Sequence, residues 1–304
     1  MKLIDFHSHI IPRADHGSSS VDTSLLQLQY AAKTGFSRVV ATPHFYPYQE
    51  NVARFIARRD DCYARLKEQI TEDLPEVILG AEVLICDNLE SMPDLDLLCI
   101  SGTNILLIEL PFTDFSDSFV YSIKMLIKNG YDVILAHADR YNPRNIDRLV
   151  AVGAKIQLNV DSLSHMIIPA HIKTWVADNL VVALGSDIHG PDRQAYKRFI
   201  KALKHLGEKS DSIMQSTDEL LSTHEDVEAS NVSEDIPDIE ESVQLTHKEP
   251  SENFLNEEVV SAADVEQELL EFQQDKISDS SIQESEVEPQ NETSDFINSE
   301  TDKA

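Results

Sequence analysis

At 304 residues and a formal net charge of −29, the chain has room for one large α/β domain or two smaller ones. Residues 208–304 hold 29 of the 54 Asp/Glu and 4 of the 25 Lys/Arg, a net −25, which leaves −4 for residues 1–207. Neither part carries the basic face that sequence-independent nucleic-acid binding needs, so no nucleic-acid partner is expected. No run of about 18 apolar residues exists to span a membrane. Asp5, His7 and His9 interrupt what would be the apolar stretch of a signal peptide. Three cysteines without Cys-x-x-Cys spacing (Cys62, Cys86, Cys99) fit a reduced, cytoplasmic compartment.

Up to about residue 207, apolar β-rich runs alternate with amphipathic ones. Strands are predicted at Leu3–Phe6, Arg38–Thr42, Val77–Gly80, Ile105–Leu110, Val133–Ala136, Lys155–Asn159 and Val181–Leu184. Between them, Asp22 is predicted to cap a helix running to Lys33 and closed by Gly35. Further helices are predicted over Val52–Ile70, Ser118–Lys128, Pro143–Val152, Pro169–Ala177 and Asp192–Leu206, with Pro143 and Pro169 in first turns. Seven apolar strands alternating with helices call for a parallel sheet covered on both faces. The predicted fold is a distorted β/α barrel. An open doubly wound sheet is the alternative, and its glycine fingerprint is missing.

Residues 208–304 are rich in Glu, Asp, Ser and Gln, too polar to offset chain entropy by burial, and are expected to form a disordered acidic tail. Within them, Asp264–Gln274 has the spacing of a short helix for a partner.

Histidines and carboxylates fall where the strands end, the edge at which α/β barrels carry their chemistry. His7 and His9 stand two apart at the end of the first strand and so project from one face. His44 follows the second strand, Glu82 the third, Glu109 closes the fourth, His137 follows the fifth, and Asp187 and His189 follow the last. A glutamate in the apolar run Ile105–Leu110 is costly to bury unless paired or bound to metal. Five histidines and three carboxylates exceed the needs of one ion and fit two or three, bridged by carboxylates. Arg140 and Arg193 stand beside this rim, and a guanidinium fork matches phosphate oxygens.

The motifs His7-Ser8-His9, Ala41-Thr42-Pro43-His44, Gly80-Ala81-Glu82, Ile108-Glu109-Leu110-Pro111, His137-x-x-Arg140-Tyr141 and Gly185-Ser186-Asp187-x-His189 stand in an order that resembles the polymerase-and-histidinol-phosphatase (PHP) superfamily. Gln157-Leu158-Asn159-x-x-Ser162-Leu163 is also similar to a family stretch. Within the superfamily the chain resembles the bacterial manganese-dependent tyrosine-protein phosphatases of capsule and exopolysaccharide clusters. The resemblance spans residues 1–205. It implies a (β/α)7-type barrel, two or three Mn²⁺ ions, and hydrolysis of phosphotyrosine by water that the metals activate. The implied substrate is a tyrosine kinase of polysaccharide assembly. The family's Asp-Asp-Gly reads Asp15-His16-Gly17 here, so His16 stands where the family has a ligating aspartate. Imidazole ligates too, and His16 is counted as a ligand. Histidinol-phosphate or nucleotide phosphoesterase activity shares this metal site and stays open. So does a regulatory role in which His16 weakens the site and the acidic tail binds a partner.

Overall fold

The computed structural model describes residues 2–112 and 115–222. The proposed tail from residue 223 onward, with its Asp264–Gln274 helix, lies outside the described residues.

Each apolar run of the sequence becomes a strand, and every pairing is parallel. In chain order the elements begin with β1 (Leu3–His9), α1 (Val21–Thr34), β2 (Phe36–Ala41), β3 (His44–Phe45), α2 (Val52–Lys67), β4 (Glu76–Leu79) and β5 (Glu82–Leu84). They continue with β6 (Ile105–Glu109), α3 (Asp117–Lys128), β7 (Asp132–Leu135), α4 (Pro143–Val150), β8 (Lys155–Asn159) and α5 (Val160–Ser164). The last are α6 (Ala170–Ala177), β9 (Val181–Gly185), β10 (Ile188–His189), α7 (Ala195–Leu206) and α8 (Glu208–Ser222). Strands form two sheets, ordered β10-β1-β2-β4 and β3-β5-β6-β7-β8-β9. Three expected strands are each followed, after a break at Thr42-Pro43, at Gly80-Ala81 or at Ser186-Asp187, by a second short strand that the sequence did not predict. Each break falls where a site residue follows, and the chain changes sheet there. Backbone bonds still cross the breaks, Gly80 N–H to Ala41 O at 2.9 Å and Asp187 N–H to His7 O at 2.8 Å.

Local chemistry sets the helix ends. Ser20, not Asp22, caps α1: its extended backbone lets Oγ accept from Thr23 N–H at 3.2 Å. Asp22 falls inside the first turn, where its charge faces the positive end of the helix dipole. Gly35 closes α1 at φ +93°, as expected. Pro143 opens α4, with Asn142 as its cap. Pro169 sits one residue before α6 instead of inside it.

An apolar cluster of Ile4, Phe6, Val40, Ile100, Leu107, Ile134 and Ala183 lies beneath the site. On β6, Ile105, Leu107 and Glu109 share one face, so the glutamate stands directly above this cluster. On β1 the same result needs an extra residue. Asp5 to Ser8 spans three steps against two on β2, a bulge that shifts alternation between Phe6 and His7.

The expected end of the folded domain at residue 207 is corrected. Glu208–Ser222 form α8, which buries Ile213, Met214 and Leu221 and packs on β1 and β9. Leu221 joins the cluster around Ile4 and Ala183. Asp218 pairs with Arg38, and Thr217 Oγ1 donates to Val182 O at 2.9 Å.

Candidate metal centre

The site is built at the strand breaks. His7 and His9 end β1, His44 opens β3, Glu82 opens β5, Glu109 ends β6 and His189 ends β10. His137 and Asp187 take left-handed backbone angles, φ +32° and +49°, which turn both side chains out of their strands. Two glycines permit close approach. A Cβ on Gly185 would fall 2.5 Å from His7 Cβ, and one on Gly17 would fall 2.4 Å from His9 Cβ.

Glu82 is fully buried and central. Its Oε2 lies 3.2 Å from His7 Nε2, 3.2 Å from His9 Nε2 and 3.0 Å from His44 Nδ1; its Oε1 lies 2.6 Å from His137 Nε2. His7 Nε2 and His9 Nε2 are 3.1 Å apart, and Asp187 Oδ1 is 3.2 Å from His9 Nε2. Ligands about 2.1 Å from one ion stand about 3.0–3.4 Å from each other, so these spacings suit a shared cation. Three groups bring their ligand atoms within 4.8 Å: His7, His9 and Glu82; His44, Glu82 and Glu109; His9, His44 and His189. The groups share His9, His44 and Glu82, which is the pattern of adjoining ions with common ligands. His44 Nδ1 makes the fit sharper: it is buried and meets no partner in hydrogen-bonding geometry. In its neutral form that nitrogen offers a lone pair to an ion.

The carboxylates around the cluster favour protonated histidines there. Burial alone would depress His44, but the nearby carboxylates Glu109 and Glu82 raise it to about 9. Burial would likewise depress His7 and His9, and the neighbouring carboxylates (Glu82 and Asp187 for His7; Asp15, Asp187 and Glu82 for His9) outweigh it and raise both. Burial and the charge of His9 lower His189 to about 4, which leaves it neutral at pH 7. Burial opposes ionisation of Glu82 and Asp187. The charge of His7, with bonds from His137 to Glu82 and from His9 to Asp187, holds both well below the usual carboxylate range.

A supporting ring orients these groups, and sequence reading gave it no role. Asp15 Oδ2 accepts from His9 Nδ1 at 2.6 Å and from His44 N–H at 3.1 Å. Gln157 Oε1 accepts from His7 Nδ1 at 3.1 Å and from His137 N–H at 2.7 Å. Asn159 Nδ2 donates to Asp187 Oδ2 at 2.9 Å, and Tyr141 Oη lies 3.2 Å from His137 Nδ1. Asp5 holds the Asp187 turn from below by accepting from Ser186 N–H and Oγ at 2.8 and 2.5 Å. Gln157 and Asn159 stood in a stretch of family likeness. Asp15, six residues past His9 and two before Gly17, stood as the first aspartate of the family's Asp-Asp-Gly, with no role given to it.

His16 is exposed, its ring centroid 4.8 Å from that of His44 and 4.7 Å from that of His189. Burial and the charge of His44 lower its pKa. Arg140 reaches the cluster, its Nη2 2.5 Å from Asp187 Oδ2. Arg193 does not: among the described residues its hydrogen bond goes from Nε to Tyr30 Oη on α1, 3.0 Å away. The expectation of a second phosphate arginine there is corrected.

A family model described as capsular polysaccharide synthesis, CpsB/CapC, matches residues 3–217. The tyrosine-protein phosphatase CpsB of Streptococcus pneumoniae is 23% identical over 210 residues, which cover 62% of this chain and 84% of that protein. CpsB of Streptococcus agalactiae is 20% identical over 204 residues with the same coverage. A chain from the crystal structures of YwqE of Bacillus subtilis and CpsB of Streptococcus pneumoniae, metal-dependent tyrosine phosphatases, superposes with a TM-score of 0.61. It is 25% identical and covers 72% of this chain and 94% of its own length.

Proposed function

Because this chain belongs to the CpsB/CapC family of capsular polysaccharide synthesis, we infer that its metal centre hydrolyses protein phosphotyrosine. The observation that carries the reading is Glu82, buried among four histidines at ligand spacing with Arg140 on the rim. We read the two sheets as one seven-stranded barrel interrupted at its three breaks. His7, His9, His16, His44, Glu82, Glu109, His137, Asp187 and His189 are the proposed ligands of two or three ions. Mn²⁺ is the proposed metal, since mixed imidazole and carboxylate donors suit it better than Mg²⁺.

Bound divalent ions supply Lewis acidity, acidifying water and neutralising phosphoryl oxygens. The chain's own groups do the rest. Gln157 holds the Nδ1 proton of His7, which leaves Nε2 as a lone pair directed at the centre. Asp15 does the same for His9. Arg140, half-exposed and free to leave Asp187, binds the non-bridging phosphate oxygens and positions the ester. Tyr141 keeps its phenolic proton at any working pH, because burial and the charges of Glu109 and Glu82 push its pKa far up.

The proposed substrate is a phosphorylated tyrosine kinase of polysaccharide assembly, met in the cytoplasm. Three unpaired thiols, Cys62, Cys86 and Cys99, are in keeping with that compartment. No helix of the described residues is long and apolar enough to cross a membrane. Chelation should abolish hydrolysis of a phosphotyrosine peptide, and Mn²⁺ should restore it better than Mg²⁺. Full turnover by protein shown by metal analysis to be ion-free would overturn the reading.

A further inference from the structure

We propose that the recess beside Arg140 and Tyr141 is an aryl subsite that takes the phenyl ring of the phosphotyrosine itself. The inference rests on the phosphatase reading and names what makes the site select aryl over alkyl esters. The recess has a volume of about 180 Å³, and its walls include Phe112, Phe115, Phe119, Arg140, Tyr141 and Asn145. A space of that size suits one ring and is too small for an extended ligand.

Two walls connect it to the metal centre. Arg140 pairs with Asp187, and Tyr141 Oη reaches His137 Nδ1 at 3.2 Å. In a phosphotyrosine the ring is one bridging oxygen from phosphorus. A phosphoryl group at Arg140 therefore places its ring against the residues that touch both regions.

The rings are disposed to receive it. Phe112 is 74% exposed, and its centroid lies 5.8 Å from that of Tyr141, tilted by 35°. A third ring at the mouth meets both within the 4.5–7 Å range of aromatic pairs. Most of the Phe112 ring surface is open to water despite its contact with Tyr141, so covering it is a gain available to the substrate. The half-buried amide of Asn145, which makes no side-chain hydrogen bond among the described residues, adds a polar contact at the wall. An alkyl ester such as phosphoserine leaves the recess empty.

Binding of phenylphosphonate and methylphosphonate to the full-length, metal-loaded protein tests this without turnover or leaving-group effects. The wild type should bind phenylphosphonate about tenfold more tightly. Phe112→Ala should shrink that preference about fivefold while methylphosphonate affinity and metal content hold, and Phe112→Tyr should restore it. An unchanged preference in Phe112→Ala, or an equal loss of both ligands, overturns the subsite. Equal binding of the two phosphonates by a wild type that hydrolyses phosphotyrosine sinks the subsite and spares the phosphatase. A wild type that binds neither and hydrolyses nothing sinks both.

Discussion

Glu82 divides its two oxygens between different histidines, Oε2 toward His7, His9 and His44, and Oε1 toward His137. A carboxylate so placed would hold a bound ion through either oxygen, and its neighbours would decide how well it does so. Gln157 is the clearest of these neighbours, because one oxygen orients two histidines. Gln157→Leu should lower Mn²⁺ affinity about 10- to 100-fold, read by titration calorimetry, with the fold intact by circular dichroism. Arg140→Ala should behave oppositely, keeping metal while kcat/KM for phosphotyrosine falls about 10- to 1,000-fold. A variant equal to the parent in turnover would make Arg140 a bystander. Protons compete with metal here. His44, at about 9, is protonated at pH 7 in the ion-free protein and must lose that proton to ligate. Mn²⁺ affinity should therefore rise by about tenfold per pH unit up to about pH 9, with proton uptake by buffer measured on loading. The histidines, glutamates and Asp187 were legible in sequence because polar residues are rare at the ends of apolar strands. Asp15 and Asn159 stood in stretches of family likeness, but their roles were not legible, because only the fold shows what a polar residue near a turn touches.

At the scale of elements, α8 is where sequence reading fell short. Its composition is polar, and its apolar residues are few, so the segment reads as the start of the acidic tail. Spacing carries what composition hides. Ile213, Met214, Thr217 and Leu221 recur at steps that bring one face to the β1–β9 edge. Burying three apolar side chains there contributes about 4–9 kcal/mol, an upper estimate that approaches the whole stability of a typical domain. A chain ending at Gly207 should consequently fail to accumulate as folded, metal-binding protein, whereas one ending at Ser222 should fold and load metal. Equal melting temperatures for the two truncations would show that α8 adds nothing. The strand breaks were hidden for a different reason. Pro43 and Gly80 mark the ends of the apolar runs, and hydrophobicity does not record that the chain resumes there as a strand of the other sheet.

For the molecule as a whole, the proposed ligands and most of the acidic charge occupy different stretches of the sequence. The proposed ligands gather at the strand breaks and strand ends, while Leu221 of α8 belongs to the apolar cluster with Ile4 and Ala183. The alternation of strand and helix made the α/β class legible, since it depends only on the periods of apolar residues; closure depends on bulges and breaks that leave no such period. Beyond α8, residues 223–304 carry 25 Asp/Glu against 3 Lys/Arg, a net −22 of the chain's −29, and contain none of the proposed ligands. A linked charge of that size repels an anionic phosphopeptide by its field, whatever contacts it makes. Removing residues 223–304 should raise kcat/KM for an acidic phosphotyrosine peptide several-fold near 0.01 M salt, where screening extends about 30 Å. The gain should fade toward 0.15 M, where that length is about 8 Å. A phosphotyrosine peptide of net positive charge supplies the control, because the same field attracts it and the sign of the effect must reverse. A gain that ignores both salt and peptide charge would mean that the segment acts by contact with the site, and the electrostatic account would fail.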